Sequence, residues 1–358
     1  MNYKETLFFV GKSLTIPHDE KNYKEISYRI EEGEVNWEEV VKLSTSHYVF
    51  TTLYCLFQRA ELLSFLPEDL VSYMKHLTEL NRDRNQQIIE QATELNTILR
   101  QNDIQPIFLK GTGNLLQGLY DDIGERMVGD IDFIIRPEDY NETIKILKEY
   151  GYQKVFDRHS IPGKHYPRSF KEGSVAAIEI HKEMVKNPFE PAFNYETIKG
   201  HIISKNGFSV LSYEHQLSLA VIALQINDDG QYYNTISLRN AYDVFCLSQK
   251  VDASSSIKEL DQIFHPLNNF LALCNYTLSD GITYNRTEEA KKYLAKFDKL
   301  LNNQKFRLGH HRKWKRKLYF RSRLKITLKS LYKKEYSIWL IKTVTSPRWL
   351  KAKFKSGS

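Results

Sequence analysis

The chain has 358 residues, a formal net charge of +7 and 41% hydrophobic residues, which suffice for a sizeable core and exclude a low-complexity protein. Its three cysteines are odd in number and far apart, which argues against a disulfide framework or a zinc cluster and favours a reducing cytosol. The N-terminus lacks a signal-peptide pattern, and no apolar run approaches the ~18 residues of a membrane span. We therefore expect a cytoplasmic protein without a transmembrane segment.

Charge is divided unevenly along the chain. Residues 305–358 hold eighteen lysine or arginine residues and one acidic residue, whereas the preceding 304 residues carry 33 basic and 43 acidic side chains. The body is therefore mildly acidic and the tail strongly basic, which leaves peripheral attachment to a membrane open.

Helical patterns occupy the first hundred residues. Apolar residues recur at three- and four-residue spacing through residues 1–75. Pro67, followed by Glu68 and Asp69, marks the start of a long polar helix that we expect to reach about Gln101.

From residue 104 onward, short apolar runs alternate with helical patterns, and after Ser212 the pattern is helical up to about Asn303. Strand–helix–strand–helix–strand–strand order predicts a small mixed sheet, and hence an α+β fold flanked by helical regions. The predicted strands are 104–109, 130–135, 166–171 and 175–181, and the predicted helices between them are 111–120 and 138–150. The predicted regions are 1–100 (helical), 101–212 (core), 213–304 (helical) and 305–358 (basic tail).

Two aspartates open the predicted strand at 130–135. Side chains alternate along a strand, so Asp130 and Asp132 project from one face, ~7 Å apart, while Ile131 and Phe133 pack on the other. Two such carboxylates repel each other unless a cation lies between them, and their hard oxygen ligands suit Mg²⁺ or Mn²⁺. The pair therefore predicts a divalent metal site.

A third acid on another strand would complete this site. Glu179 lies between Ile178 and Ile180, and the same alternation puts His181 on the Glu179 face. A lone D-x-D motif usually marks a solvated strand end. Here it follows an apolar strand, a Lys-Gly-Thr sequence and a helix, which favours the functional interpretation.

In order and spacing, these motifs resemble the uncharacterised nucleotidyltransferase family of the polymerase-β-like superfamily. The resemblance rests on LKGTGNLLQGLY at 109–120, ERMVGDIDFIIRP at 125–137 and IEIH at 178–181. Together with similar helical flanks it covers roughly residues 20–260 and leaves the tail outside. It implies a polymerase-β-like nucleotidyltransferase core.

By this resemblance, Asp130, Asp132 and Glu179 bind the divalent metal, and Glu179 deprotonates an acceptor hydroxyl or holds a second ion. His181 is an accessory candidate. The implied enzyme transfers a nucleoside monophosphate from a nucleoside triphosphate, with ATP the expected donor, to an unknown hydroxyl acceptor. The alternative is a catalytically degenerate member that acts as a binding or partner module.

The resemblance also assigns phosphate-binding residues. Gly111 and Thr112 match a short turn whose backbone N–H groups meet the triphosphate at the start of a helix. Lys110 and Arg126 would neutralise phosphate charge. A structural alternative stays open for each charged residue, namely a lysine at a strand end and an arginine paired with an acidic neighbour.

Downstream, the chain departs from the family pattern where a helix that often carries a histidine reads ALQIN at 223–227. Asp228 and Asp229 precede a glycine and predict a loop. Asp243 is predicted to pair with Arg239 one helical turn earlier.

The basic tail, at 310–355, interleaves lysine and arginine with aromatic and aliphatic residues. Much of it can be drawn as a helix with one apolar side, which leaves out Phe320 and Ile326. Three interpretations stay open: a helix docked on the acidic body, attachment to an anionic membrane surface, and contact with nucleic acid.

Overall fold

Five helices form the N-terminal part of the fold, as the apolar spacing predicts. The computed structural model describes residues 1–154 and 167–344. Asn2, Asp19 and Asn36 begin three of the helices, because each side chain accepts the N–H of the residue three positions later. The helices are α1 (Tyr3–Ser13), α2 (Glu20–Glu31), α3 (Trp37–Ser46), α4 (Phe50–Arg59) and α5 (Glu68–Arg100).

The next hundred residues form a sheet whose described part has seven strands, in the order β3-β4-β5-β2-β1-β7-β6. The pairs β2 with β5 and β1 with β7 are parallel, and the other pairs are antiparallel. The α+β fold with a mixed sheet is thereby confirmed. The elements are β1 (Ile107–Phe108), α6 (Lys110–Gln117), β2 (Asp130–Ile134), α7 (Tyr140–Glu149), β3 (Gln153–Lys154), β4 (Ser169–Phe170), β5 (Ala177–His181), α8 (Tyr195–Ile198), β6 (Ile202–Lys205) and β7 (Phe208–Leu211).

The hairpin of β6 and β7 was not expected from the sequence, although its signal is present. Asn206 and Gly207 form its turn with φ values of 51° and 81°. An Asn-Gly pair between two strands suits such a turn, because both positions require positive φ. Through β7, this hairpin extends the sheet beyond β1.

Helices return after β7, as expected. The helices are α9 (Tyr213–Ile222), α10 (Gly230–Tyr233), α11 (Leu238–Ser248), α12 (Ala253–Ser256), α13 (Phe264–Thr277), α14 (Glu288–Asn302), α15 (Gln304–Ser330) and α16 (Lys334–Val344). The first of these helices, α9, continues directly into a π-helical segment, Ala223–Asn227.

The polar side chains of the long helix α5 hold backbone segments that lead into the central strands. Asn85 Nδ2 donates to the Arg126 carbonyl at 2.6 Å. Arg84 donates to the carbonyls of Gly129 and Val175, at 3.2 and 3.1 Å. Because buried carbonyl groups need donors, the polar face of α5 fixes the entries to β2 and β5.

The basic tail begins on the body and then becomes exposed. The Trp314 ring stacks on Tyr232 of α10 with ring centroids 4.8 Å apart. Further along, Phe320 and Leu324 of α15 and its C-terminal cap residue Leu331 are 70%, 63% and 78% exposed. Ile326 instead is buried. Residues 345–358 of the predicted tail, like residue 166 of a predicted strand, lie outside the described residues.

One hydrophobic core extends from Leu7 in α1 to Leu301 in α14. The division of the chain into four regions stays a prediction. None of the described helices is long and apolar enough to cross a lipid bilayer.

Candidate active site

The predicted acidic residues lie on two neighbouring strands. β2 and β5 are parallel, and their register places Asp132 beside Glu179 and Asp130 beside Ala177. The apolar residues that alternate with these acids are buried in the core. Asp130, Asp132, Glu179 and His181 all line one cleft, so the predicted sharing of a face is confirmed.

Asp132, Glu179 and His181 bring three ligand atoms close together. One ligand atom from each lies within 4.8 Å of the others. His181 Nε2 is 2.7 Å from Asp132 Oδ1 and 3.8 Å from Glu179 Oε2. Two carboxylates and an imidazole therefore converge at one point of the cleft.

Lys110 compensates the charge of this group. Its Nζ donates to Asp132 Oδ1 at 2.6 Å and lies 3.3 Å from His181 Nε2. Burial alone would raise the pKa of Asp132, but the Lys110 ammonium and the His181 hydrogen bond hold it well below its usual range. Lys110 adopts φ of +53°, an unfavourable backbone conformation for a lysine. This strain is located at the cleft.

Arg168 links the other two carboxylates. It lies just before β4, contacts the Asp130 carboxylate, and places its Nε 3.1 Å from Glu179 Oε1. All three predicted acids are therefore within reach of two cationic side chains, Lys110 and Arg168. The sequence assigned no role to Arg168, because nothing in its local pattern shows which strands it will meet.

The donor set fits a divalent cation. Asp130, Asp132 and Glu179 supply hard carboxylate oxygens, and His181 adds a nitrogen ligand. Carboxylates suit Mg²⁺ and Mn²⁺, and an imidazole is the commonest nitrogen ligand of transition metals. Lys110 and Arg168 already place positive charge beside these acids, at the position where a divalent ion would also place it.

The start of α6 forms the next part of the cleft wall. Gly111 lines the cleft, and a Cβ on it would lie 3.7 Å from an Arg126 nitrogen. Thr112 is buried, and its hydroxyl donates to the Asp130 carbonyl at 2.9 Å. The first N–H groups of a helix have no intrahelical acceptor, so this end can receive an anion. Phosphate binding by Gly111 and Thr112 stays a prediction.

Arg126 pairs with Asp243, the acid that the sequence pattern predicted to pair with Arg239. Its Nε and one terminal nitrogen donate to the two oxygens of Asp243, each at 2.8 Å. The Tyr120 hydroxyl adds a third hydrogen bond to that carboxylate. The predicted pairing of Asp243 with Arg239 is therefore wrong, because the buried bidentate partner lies on another segment. Phosphate binding by Arg126 stays a prediction, with its guanidinium engaged as described.

The cleft has a volume of about 400 Å³ and continues from the acids to the helices behind α6. Arg239 and Asn240 of α11 line it, as does Asp228 at the end of the π-helical segment. Asp228 was predicted only as part of a loop. Gln225, the residue that occupies the region of the expected histidine, is fully buried.

The family model described as "Uncharacterised nucleotidyltransferase" matches residues 33–278, about two thirds of the chain. This match confirms the resemblance stated from the sequence motifs. No curated protein and no solved structure matches the chain.

Proposed function

Because this chain belongs to the uncharacterised nucleotidyltransferase family, it is a nucleotidyltransferase, and we propose that it transfers a nucleoside monophosphate from a nucleoside triphosphate to a hydroxyl group. ATP is the proposed donor, and pyrophosphate is released. The observation that carries this proposal is the convergence of Asp130, Asp132 and Glu179 on one cleft beside the start of α6.

The three carboxylates would hold Mg²⁺ or Mn²⁺, with His181 as an additional ligand. When bound, a divalent ion neutralises phosphate charge and lowers the pKa of the attacking hydroxyl. The carboxylates are fixed beforehand, because β2 and β5 are paired over all five residues of each strand. Such fixed positions reduce the reorganisation that the reaction requires.

The remaining roles belong to groups around the acids. The Lys110 ammonium and the N–H groups at the start of α6 would bind phosphate oxygens. The acceptor oxygen then bonds to the α-phosphorus, and the bond from that phosphorus to the bridging oxygen breaks. Pyrophosphate leaves with the electron pair, and the Glu179 carboxylate accepts the hydroxyl proton. The acceptor itself is left open.

A search for the transferred group tests this function. The protein is incubated with Mg²⁺ or Mn²⁺ and each of the four triphosphates carrying an α-phosphate label, against separate pools of small molecules, proteins and RNA. Transfer requires label in an acceptor together with released pyrophosphate. Bound triphosphate with no transfer to any pool would instead favour the degenerate binding module.

We further propose that α15 and α16 place the protein at an anionic membrane surface. Four apolar residues at helical spacing are exposed along α15 and its C-terminal cap residue; they are Phe320, Leu324, Leu328 and the cap residue Leu331. Phe320 thus belongs to the apolar side, contrary to the sequence interpretation. Lysine and arginine residues alternate with these positions, and exposed apolar residues flanked by basic ones suit an interfacial helix.

Contacts with the body hold only part of the tail in place. Arg321 donates to the Tyr232 hydroxyl at 3.1 Å, and Lys325 donates to the Asn187 carbonyl at 3.1 Å. These contacts, with the Trp314 stack, support docking of α15, but they leave its exposed apolar residues uncovered. The membrane proposal concerns those residues, and nucleic-acid binding is an outcome of its test.

A further inference from the structure

Arg239 is a cationic side chain of the same cleft, apart from the acids and Lys110. It lies in the first turn of α11, lines the cleft and is half-buried. Its guanidinium carbon is 4.9 Å from the centroid of the Tyr48 ring. This stacking orients the side chain, but a cation–π contact offsets only part of the cost of removing an arginine from water.

The carboxylate nearest to Arg239 along its own helix is already occupied. Arg126 takes both oxygens of Asp243, and the Tyr120 hydroxyl adds to one of them. Among the residues that the structure describes, the buried Nε of Arg239 has no hydrogen-bond partner. Burial, reinforced by the positive charge of Arg126, lowers the pKa of Arg239.

A buried donor without a partner costs free energy, and a cation costs more than a neutral group. Such a group is uncommon in a folded protein unless a ligand supplies the missing acceptor. Because Arg239 lines the cleft, that acceptor can come from a bound substrate. An arginine presents several N–H groups in a fixed fork that matches phosphate oxygens.

The position of Arg239 indicates which part of a substrate it meets. A Cβ on Gly111, at the start of α6, would lie 3.7 Å from Arg126. Arg126 in turn contacts Asp243, which lies one helical turn after Arg239 on α11. The positive charge of Arg126 also acts on Arg239, and Gly111, Arg126 and Arg239 line the same cleft. We therefore place Arg239 towards the end of the cleft where the N–H groups of α6 can bind an anion.

We propose that Arg239 binds the β- and γ-phosphates of the nucleoside triphosphate and the pyrophosphate that leaves. This inference rests on the proposed function and assigns the donor's terminal phosphates to one residue. The attacking hydroxyl carries no charge of its own, whereas the terminal phosphates concentrate negative charge. Arg239 thus supplies a guanidinium whose Nε has no hydrogen-bond partner among the described residues, and the Tyr48 stack orients it.

Binding measurements on the full chain test the assignment. Inorganic tripolyphosphate, AMP and ATP are titrated, each with Mg²⁺, into the wild type, Arg239→Gln and Arg239→Lys. Arg307→Gln is the matched control, because Arg307 also stacks on a tyrosine, Tyr3, at 3.7 Å, but lies outside the cleft. We expect Arg239→Gln to bind tripolyphosphate and ATP on the order of ten- to a hundredfold more weakly. AMP affinity should stay within about twofold of wild type in that variant.

Arg239→Lys should recover part of the lost affinity, because it restores the charge without the fork. Thermal unfolding gives a second readout: without ligand, Arg239→Gln should have a Tm no lower than that of the wild type, because the unpartnered cation is removed. It should lose the increase in Tm that tripolyphosphate produces. Unchanged tripolyphosphate affinity in Arg239→Gln, while wild type transfers nucleotide, would overturn this inference alone. An equal loss of AMP affinity would also overturn it. Failure of the wild type to bind any triphosphate would contradict the proposed function as well.

Discussion

Asp132 and Glu179 are direct neighbours across the parallel strands β2 and β5. Their side chains reach the same cleft from two segments that are separated by the helix α7 and the two short strands β3 and β4. His181 lies within 4.0 Å of both carboxylates, so the strand pairing itself brings the three groups together. The roles of these groups can be separated by experiment.

Glu179→Gln should reduce kcat by about a hundredfold or more, with ATP affinity changed by no more than about threefold. The reason is that a proton acceptor acts as charge develops on the acceptor oxygen, whereas the glutamine keeps the size of the side chain. Steady-state kinetics and direct ATP titration measure the two quantities. Glu172→Gln, in the turn before β5, is the control. A parallel loss of ATP affinity would make Glu179 a binding residue. Full activity would show that another acid accepts the proton, and Glu183, which also lines the cleft, would be tested next.

Two helical glycines should respond with opposite signs to substitution by alanine. A Cβ on Gly113 in α6 would lie 2.7 Å from the Phe108 carbonyl oxygen, whereas a Cβ on Gly309 in α15 meets no atom within 4 Å. Gly113→Ala should therefore destabilise the protein by about 1–3 kcal/mol, because neighbouring backbone must move. Gly309→Ala should stabilise it by about 0.5–1 kcal/mol through helix propensity. Denaturant unfolding measures both, and a stabilising Gly113→Ala would contradict the close approach of α6 to β1.

Protein stability should fall as the pH drops from about 6.5 to 4, through His47. Burial lowers the pKa of His47 from 6.5 to about 4, and its Nδ1 accepts the Leu238 N–H at the start of α11, 3.2 Å away. In this pH range the unfolded chain binds a proton at His47 that the folded chain does not. Lowering the pH therefore favours the unfolded chain, and the full stability is present only above about pH 6.5. The loss at pH 4 is roughly 3 kcal/mol.

The pH series is measured by urea unfolding of the wild type and of His47→Gln. Glutamine retains an acceptor but cannot titrate, so its stability should depend less on pH in this window. Identical pH profiles for the two proteins would show that His47 does not contribute.

The exposed side of α15 should bind anionic vesicles. We expect the wild type to sediment with vesicles that contain phosphatidylserine and not with phosphatidylcholine alone, more strongly at low salt than at physiological salt. A Phe320→Ser/Leu324→Ser/Leu328→Ser variant should lose this binding. Leu80→Ser is the control, because Leu80 on α5 is 52% exposed but far from the basic tail in sequence. Equal sedimentation of the triple variant, or binding of RNA in preference to vesicles, would contradict the membrane proposal.

The acidic face of the site could be predicted because alternation along a short strand directly determines which side chains share a face. Asp130, Asp132 and Glu179 needed no knowledge of distant contacts beyond the pairing of two apolar strands. The hairpin turn at Asn206 and Gly207 was also predictable, since its dipeptide is a strong local signal. It was missed because the apolar runs beside it are short.

The cationic side of the site could not be predicted in the same way. Pairing rules for an isolated helix favour Asp243 with Arg239, one turn apart. In the structure Asp243 instead accepts two parallel hydrogen bonds from Arg126, which is 117 residues away in the chain. Which arginine pairs with a given acid thus depends on segments that are distant in the chain. The same holds for Arg168, whose contacts with Asp130 and Glu179 require the completed sheet.

The most direct test of the central claim, that these carboxylates support nucleotidyl transfer, compares ATP labelled at the α-phosphate with ATP labelled at the γ-phosphate. Wild type, Asp130→Asn/Asp132→Asn and the surface control Asp280→Asn are assayed with Mg²⁺ and an acceptor pool, and circular dichroism verifies folding. We expect wild type and Asp280→Asn to transfer only the α-label. The double variant, although folded, should be slower by about a thousandfold or more. A double variant with the wild-type rate, or transfer of the γ-label alone, would contradict this claim.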